Sequence, residues 1–190
     1  MSNAGGMSTV TRYVDMLAGN TTWNPWEPAG AYDALATVTL SAATSSVTFA
    51  GIPAGYKHLQ LRTLVQQAST GGSVEVILSN ATFVRRHYVY GDGASAAASA
   101  DTTNAPGIFS SAFSSGNSVF AGSVIDILDY TSTDKNKVMR SLGGVDNNGS
   151  GSIFLLSSLY TSSTAITSIT LNAISQNFTA NSTFSLYGIN

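Results

Sequence analysis

From Leu35 onward, apolar residues recur at every second position in short segments, and this alternation is the strongest constraint on the fold. In one segment the apolar phase falls on Leu59, Leu61, Thr63 and Val65. A period of two is typical of a strand with one buried face. About ten such segments follow one another between polar turns, so residues 35–190 are predicted to form an all-β domain, an antiparallel β-sandwich or jelly roll.

The alternating segments and the turns between them divide this domain into predicted strands. The predicted strands are 35–40, 47–49, 58–65, 74–78, 83–90, 124–130, 138–142, 153–160, 166–174 and 184–189. Asn147-Asn148-Gly149 carries the strongest tight-turn signal, between two of these strands. Residues 91–118 are rich in Gly, Ala, Ser and Thr and show no periodicity. They are therefore predicted to form a long loop, which in a compact domain is usually functional or mobile.

Residues 1–34 have a different pattern and are predicted to form an extended N-terminal arm. The residues predicted to bind a partner are Val10, Tyr13, Val14, Leu17, Trp23 and Trp26. The first four have the i, i+3, i+4, i+7 spacing of a short amphipathic helix within residues 8–18. The two tryptophans lie beside Pro25 and Pro28, which favour extended backbone. They either pack on their own domain or dock on a neighbouring subunit, where Trp is a strong anchor.

The start of the arm leaves two expectations open. Residues 1–6 (MSNAGG) resemble an expression remnant, and Met7 follows them. We therefore expect either Met1 or Met7 to be the native start.

The low charge of the chain indicates a role in assembly. Charged residues make up 9% of the sequence, against about 25% in ordinary soluble domains. A surface poor in charge loses little hydration free energy when another protein covers it, although secreted β-proteins can have a similar composition. The net charge of −2 and the absence of a basic patch predict no nucleic-acid binding. No apolar run is long enough to predict a membrane span.

No arrangement of residues predicts enzymatic chemistry, a cofactor or a metal site. His58 and His87 are predicted on polar strand faces without a second histidine nearby, so a structural role is favoured. Asp126 and Asp129 are predicted on one strand, where residues three apart point to opposite faces and cannot flank one glycosidic bond. The chain has no cysteine and hence no thiolate ligands. Binding of a calcium ion by the loop at 146–149 stays an open alternative.

Several short motifs occur together and in a fixed order from residue 35 onward. They are Val47-Thr48-Phe49, Ile52-Pro53, Tyr56-Lys57-His58-Leu59-Gln60-Leu61-Arg62, Ile125-Asp126-Ile127-Leu128-Asp129-Tyr130, Lys137 to Arg140, Ala165-Ile166-Thr167-Ser168-Ile169-Thr170-Leu171 and Phe184-Ser185-Leu186-Tyr187-Gly188-Ile189. In this order they resemble a family of virion structural proteins of tailed phages, notably those of cyanobacteria and marine bacteria. Members are commonly labelled virion or tail-fibre-like proteins. The resemblance covers residues 35–190, implies a place in a bacteriophage virion, and brings no catalytic residues with it.

Composition and resemblance together lead to two expectations for function. The first is a capsid decoration (cement) protein or similar accessory subunit. Its arm would bind other virion proteins of the capsid or tail, and a homo-oligomer, with a trimer as the best guess, suits a symmetric particle. The second is a tail-fibre or appendage domain that binds host-surface carbohydrate, with Tyr88, Tyr90 and the 91–118 loop as an aromatic platform. Whether the protein belongs to the head or the tail stays open.

Overall fold

The computed structural model describes residues 31–68, 73–79, 84–101, 108–111, 119–146, 149–174 and 176–190. Over these residues the chain forms antiparallel strands in two sheets, so the predicted all-β sandwich is confirmed. The described ranges contain no helix. The helix predicted within residues 8–18 lies outside them.

The strands differ in length from four to ten residues. They are β1 Tyr32–Thr39, β2 Ser46–Ala50, β3 His58–Val65, β4 Ser73–Leu78, β5 Val84–Gly91, β6 Ala96–Asp101, β7 Ile108–Ser111, β8 Ala121–Leu128, β9 Lys137–Asp146, β10 Gly151–Tyr160, β11 Ser168–Ile174 and β12 Thr183–Ile189. The large sheet has eight strands in the order β1-β12-β3-β8-β9-β10-β5-β6. The small sheet has four strands in the order β2-β11-β4-β7.

The hydrophobic core lies between the facing sides of the two sheets. The large sheet contributes Leu59, Leu61, Ile125, Ile127 and Met139, and the small sheet contributes Val74, Val76, Leu78, Ile169 and Leu171. All ten are fully buried, because alternate residues of each strand point into the sandwich. The hydroxyl of Tyr160 on β10 donates a hydrogen bond of 2.7 Å to the Val76 carbonyl on β4. This buried bond joins the two sheets.

Two strands form within residues 91–118, so the prediction of one long loop there was wrong. β6 consists of Ala, Ser and Asp only and shows no alternation that the sequence could reveal. It forms because the turn before it is well defined. The Asp92 carboxylate accepts hydrogen bonds from the backbone N–H groups of Ala94 (2.9 Å) and Ser95 (2.7 Å), and Gly93 adopts a φ of +89°. The chain therefore reverses and β6 pairs with β5.

Two boundaries also differ from the predicted ones. β1 begins at Tyr32, before the predicted start of the domain at Leu35. β8 ends at Leu128, so the prediction that Asp126 and Asp129 share one strand was wrong. Asp129 instead lies in the following turn with a φ of +48°. Aspartate tolerates this left-handed conformation better than most residues, since its short side chain bonds locally.

A buried lysine holds together the turns at one end of the sandwich. Lys137 is fully buried at the start of β9. Its ammonium group donates hydrogen bonds to the backbone carbonyls of Ser132, Lys135 (3.1 Å) and Ser163 (3.2 Å). Burial lowers the pKa of this ammonium group. Lys137 thus ties the turn between β8 and β9 to the segment between β10 and β11.

Candidate interaction surface

One row of paired residues crosses the whole outer face of the large sheet. In order from β1 to β6 the row is Thr37, Ser185, Arg62, Val124, Leu142, Leu155, Val89 and Ala98. Four neighbours in its middle are aliphatic and are exposed by 39% (Val124), 51% (Leu142), 54% (Leu155) and 50% (Val89). We call these four residues the apolar row. The solvent face of an antiparallel sheet is normally polar, so this row marks the face as a candidate contact surface.

The adjacent row of the same face is built around glycines. In order it is Thr39, Thr183, Leu64, Gly122, Gly144, Ile153, Gly91 and Ala96. Leu64 and Ile153 are both more than half exposed, and they stand on either side of Gly122 and Gly144. The result is a shallow depression with a floor of backbone, which we call the glycine groove.

The two glycines of the groove differ in what a side chain would meet. A Cβ at Gly122 would have no atom within 4 Å. A Cβ at Gly144 would approach the Ser152 carbonyl oxygen to 2.7 Å, so Gly144 is required by the close packing of β9 and β10. Space above the groove is therefore open over Gly122.

The apolar row and the glycine groove together form one continuous apolar surface. Four strand spacings separate Leu64 on β3 from Val89 on β5, which is about 19 Å. Covering the exposed half of one such aliphatic side chain is worth about 1 kcal/mol. Scattered apolar residues are normal on a protein surface, whereas contiguous apolar patches mark contact sites. This surface is consequently the strongest candidate for an interface among the described residues.

A polar row borders the apolar row on its other side. In order it is Ala34, Tyr187, Gln60, Asp126, Arg140, Ser157, His87 and Ala100. Gln60 Nε2 donates to Asp126 Oδ1 at 2.7 Å, and Arg62 Nε donates to Gln60 Oε1 at 2.8 Å. The Arg62 guanidinium group lies 4.8 Å from the centre of the Tyr187 ring and 5.3 Å from that of Tyr32. An apolar centre with a polar rim is the usual anatomy of a protein interface.

The residues predicted to bind a partner are not among those that the structure describes. Val10, Tyr13, Val14, Leu17, Trp23 and Trp26 all fall in residues 1–30. Their docking role therefore stays a prediction.

The histidines and aspartates singled out in the sequence lie at two places on the large sheet and its turns. His58 Nδ1 accepts a hydrogen bond of 2.9 Å from the Asp129 backbone N–H. The Asp129 carboxylate accepts a hydrogen bond from the Lys135 ammonium, and this bond is the main cause that lowers the pKa of Asp129. Asp126 bonds Gln60 instead, and His87 is exposed in the polar row. Among these four residues the structure brings His58 and Asp129 together, with His58 Nδ1 3.6 Å from Asp129 Oδ1. That nitrogen already accepts the Asp129 backbone N–H and the carboxylate is held by Lys135, so the contact has a structural role in the turn.

The tyrosines of the predicted sugar platform lie on the inner side of β5. Tyr88 packs against the core, and the Tyr90 ring stacks on Phe154 with their centres 5.5 Å apart. Both rings point to the opposite side of the sheet from Val89 and the apolar row. They belong to the inner face of the large sheet, near its β6 edge, and not to its outer face.

The described residues offer neither a metal cluster nor a membrane-spanning helix. In the described ranges, no group of three or more His, Cys, Asp or Glu residues could hold a metal ion. Within the same part of the chain, no helix has the length and apolar character needed to cross a membrane.

Sequence reasoning missed the outer apolar surface although a signal for it exists. Leu64 falls in the phase of β3 opposite to the buried Leu59, Leu61 and Val65, and it is exposed. Leu155 and Leu156 are adjacent in β10, so their side chains must point to opposite faces. Apolar residues in both phases of one strand predict two apolar faces.

No protein-family model, no curated protein and no solved structure matches the chain.

Proposed function

We propose that the protein is a non-enzymatic structural component of a bacteriophage virion, a capsid decoration protein or similar accessory subunit. The observation that carries the proposal is the apolar surface across the outer face of the large sheet, in a chain with only 9% charged residues. Such a surface stabilises an assembly when a neighbouring protein covers it. The motifs in residues 35–190 that resemble phage virion proteins support the virion as the place of that assembly.

The sandwich suits this role because the outer face of the large sheet is not needed for the hydrophobic core. The inner faces form the core, so the outer face of the large sheet is held as a rigid platform. Repeated binding to equivalent sites would stabilise a shell by mass action. The arm adds Trp23 and Trp26 as anchors. Symmetric particles favour symmetric subunits, so we propose a homo-oligomer, with a trimer as the best guess.

A binding experiment with particles that lack the protein tests this function. Full-length protein is added to such particles, and occupancy is measured by electron microscopy. We expect repeated, ordered copies on the capsid or tail. The double variant Trp23→Ala/Trp26→Ala should lose about thirtyfold or more in affinity, since truncation of a buried interface Trp costs about 2 kcal/mol or more. Its circular dichroism spectrum should match that of the wild type.

The control is Ala50→Val, an exposed change on the edge strand of the small sheet. It should bind at wild-type occupancy. Absence of ordered copies with the wild-type protein would contradict the virion role, and wild-type occupancy by the tryptophan variant would contradict the role of the arm.

A second candidate is binding of host-surface carbohydrate by a tail-fibre or appendage domain. The observation that favours it is the surface cluster of Tyr32, Arg62 and Tyr187 beside Gln60 and Asp126. Aromatic rings next to planar hydrogen-bonding groups are a common arrangement in sugar sites. A glycan array with the wild type and Arg62→Ala distinguishes the two. Binding that Arg62→Ala abolishes would favour the second candidate, and an array without any bound glycan would count against it.

A further inference from the structure

We infer that the N-terminal arm of one copy docks on the outer face of the large sheet of a second copy, with a tryptophan of the arm in the glycine groove. The inference rests on the arm-mediated contact proposed above and names the partner for it. The occupant is residues 10–26 of another copy of the same chain. The docking surface is the apolar row together with the groove between Leu64 and Ile153.

The direction of β1 favours a second copy as the partner. Thr39 at the end of β1 pairs with Thr183, which pairs with Leu64 beside the groove. Tyr32 at the start of β1 pairs with Ile189, whose partner on β3 is His58. The span from His58 to Leu64 on β3 is about 20 Å. The chain before Tyr32 therefore joins the sheet at the end remote from its own groove, and the line of β1 leads away from it.

The length of chain outside the described part makes the reach sufficient. Thirty residues precede the described range, and an extended chain covers about 3.3 Å per residue. Trp26 stands six positions before Tyr32, so it can lie up to about 20 Å beyond the edge of its own sheet. That length can bridge to a copy whose large sheet lies within about 20 Å of this edge.

The shape of the groove fits a planar aromatic ring. Leu64 and Ile153 are three strand spacings apart, which is about 14 Å. The floor between them has no side chains, and nothing lies within 4 Å of a Cβ position at Gly122. An indole ring can lie flat on this backbone floor between the two aliphatic walls. Trp combines a large apolar surface with few rotatable bonds, so it loses little entropy there.

The chemistry of the arm matches that of the surface. Within residues 10–26 the only charged side chains are Arg12 and Asp15, so little charge must be stripped of water. The predicted helical stripe of the arm is apolar, as is the row of four aliphatic residues beside the groove. An amphipathic segment on an apolar surface is a common mode of recognition.

Site-specific crosslinking of the full chain tests the contact, because the protein has no cysteine of its own. Asn24→Cys places a thiol between the two tryptophans of the arm and leaves both in place. Asp146→Cys places one at the rim of the groove on a second, differently tagged chain. The two variants are mixed and treated with a short bismaleimide. We expect a product that joins the two chains, and much less product when Ala50→Cys on the other sheet replaces Asp146→Cys.

Three outcomes overturn the inference. One is a product of equal yield with Ala50→Cys, and another is no product between chains. The third is a product that forms only within a chain carrying both Asn24→Cys and Asp146→Cys, at a rate independent of concentration, which would assign the groove to the chain's own arm. Each leaves the particle-binding result of the tryptophan variant to judge the proposed function separately.

Filling the groove gives an independent test. Gly122→Leu adds a side chain where a Cβ meets no atom within 4 Å, and replacing a strand glycine does not weaken the sheet. We expect self-association to weaken at least about tenfold by sedimentation, since the ring can no longer reach the floor. The unfolding temperature should stay at or above that of the wild type. Ala50→Leu is the matched control, and wild-type association by Gly122→Leu would overturn the inference.

Discussion

Leu142 on β9 and Leu155 on β10 lie directly opposite each other in the large sheet, yet more than half of each side chain is exposed. Leu156, the next residue along the chain, is only 4% exposed. Leu155 and Leu156 have the same chemistry and the same strand, and they differ only in the face to which they point. The exposed pair is therefore available to a partner, whereas Leu156 holds the sandwich together.

This relationship predicts opposite effects for neighbouring substitutions. Leu142→Thr with Leu155→Thr should leave the free energy of unfolding within about 0.5 kcal/mol, since both sites are exposed and Thr suits a strand. The same pair should weaken association by about thirtyfold, at about 1 kcal/mol for each covered side chain. Urea unfolding and sedimentation measure the two effects. Leu156→Thr should instead destabilise the fold by about 2–4 kcal/mol. Similar unfolding midpoints for the wild type, the double variant and Leu156→Thr would contradict the assignment of Leu155 to the outer face and Leu156 to the core.

The hydroxyl of Tyr160 should stabilise the fold across the core. It donates to the Val76 carbonyl at 2.7 Å and accepts from the Leu78 backbone N–H at 3.3 Å. Burial raises the pKa of this phenol above its ordinary value. Tyr160→Phe keeps the ring and should cost about 1–2 kcal/mol in urea unfolding, because the two backbone groups lose a buried partner. Tyr90→Phe, a partly exposed site on β5, should change the midpoint much less. An equal effect of the two variants would show that the bond across the core contributes nothing.

Lys137 should be needed for the turns that it joins. Lys137→Met keeps a similar volume but removes all three hydrogen bonds to the carbonyls of Ser132, Lys135 and Ser163. Loss of a buried partner for several carbonyls should destabilise the fold by about 2–3 kcal/mol or more. Hydrogen exchange should become faster in the segments 129–136 and 161–167. Asn136→Met is the control, since this neighbour of Lys137 has an exposed side chain. A stable variant with unchanged exchange would mean that water replaces the ammonium group.

The acid sensitivity of the fold should depend in part on Asp129. The hydrogen bond from Lys135 holds the pKa of Asp129 below its ordinary value of 3.8. A carboxylate with a lowered folded pKa stabilises the fold above 3.8, and this contribution disappears as the pH falls through the folded pKa. Asp129→Asn should therefore lower the unfolding midpoint at pH 6, and this difference should shrink as the pH falls below 3.8.

Asparagine is the appropriate replacement because it tolerates the φ of +48° at this position. Thermal unfolding of both proteins between pH 6 and 2 gives the difference directly. The pKa of Asp92 is lowered too, by bonds from the Ser95 and Ala94 backbone, so both proteins should still lose stability in acid. If the difference between the unfolding midpoints of the wild type and Asp129→Asn grows as the pH falls, the predicted direction of the pH dependence is wrong.

Much of the fold could be predicted where alternation is strong. The buried phase of β3 on Leu59, Leu61 and Val65 is observed as predicted, and β4 was predicted to within one residue of its observed start. β6 could not be predicted, because its Ala and Ser residues carry no periodic signal and its pairing is set by the Asp92 turn. For the candidate surface, the apolar residues in both phases of a strand can be recognised in the sequence. Which residues of other strands lie beside them cannot, because that depends on strand pairing.

The sequence alone determined the fold class of the protein. Period-two segments with polar turns predict an antiparallel sandwich. The scarcity of charge means that the surface loses little hydration free energy when another protein covers it. Only the tertiary structure decided that Val124, Leu142, Leu155 and Val89 stand side by side. These residues are far apart in the chain, and strand register, which is a long-range property of pairing, brings them into one row. Register likewise sets Gly122 beside Gly144, which opens the groove.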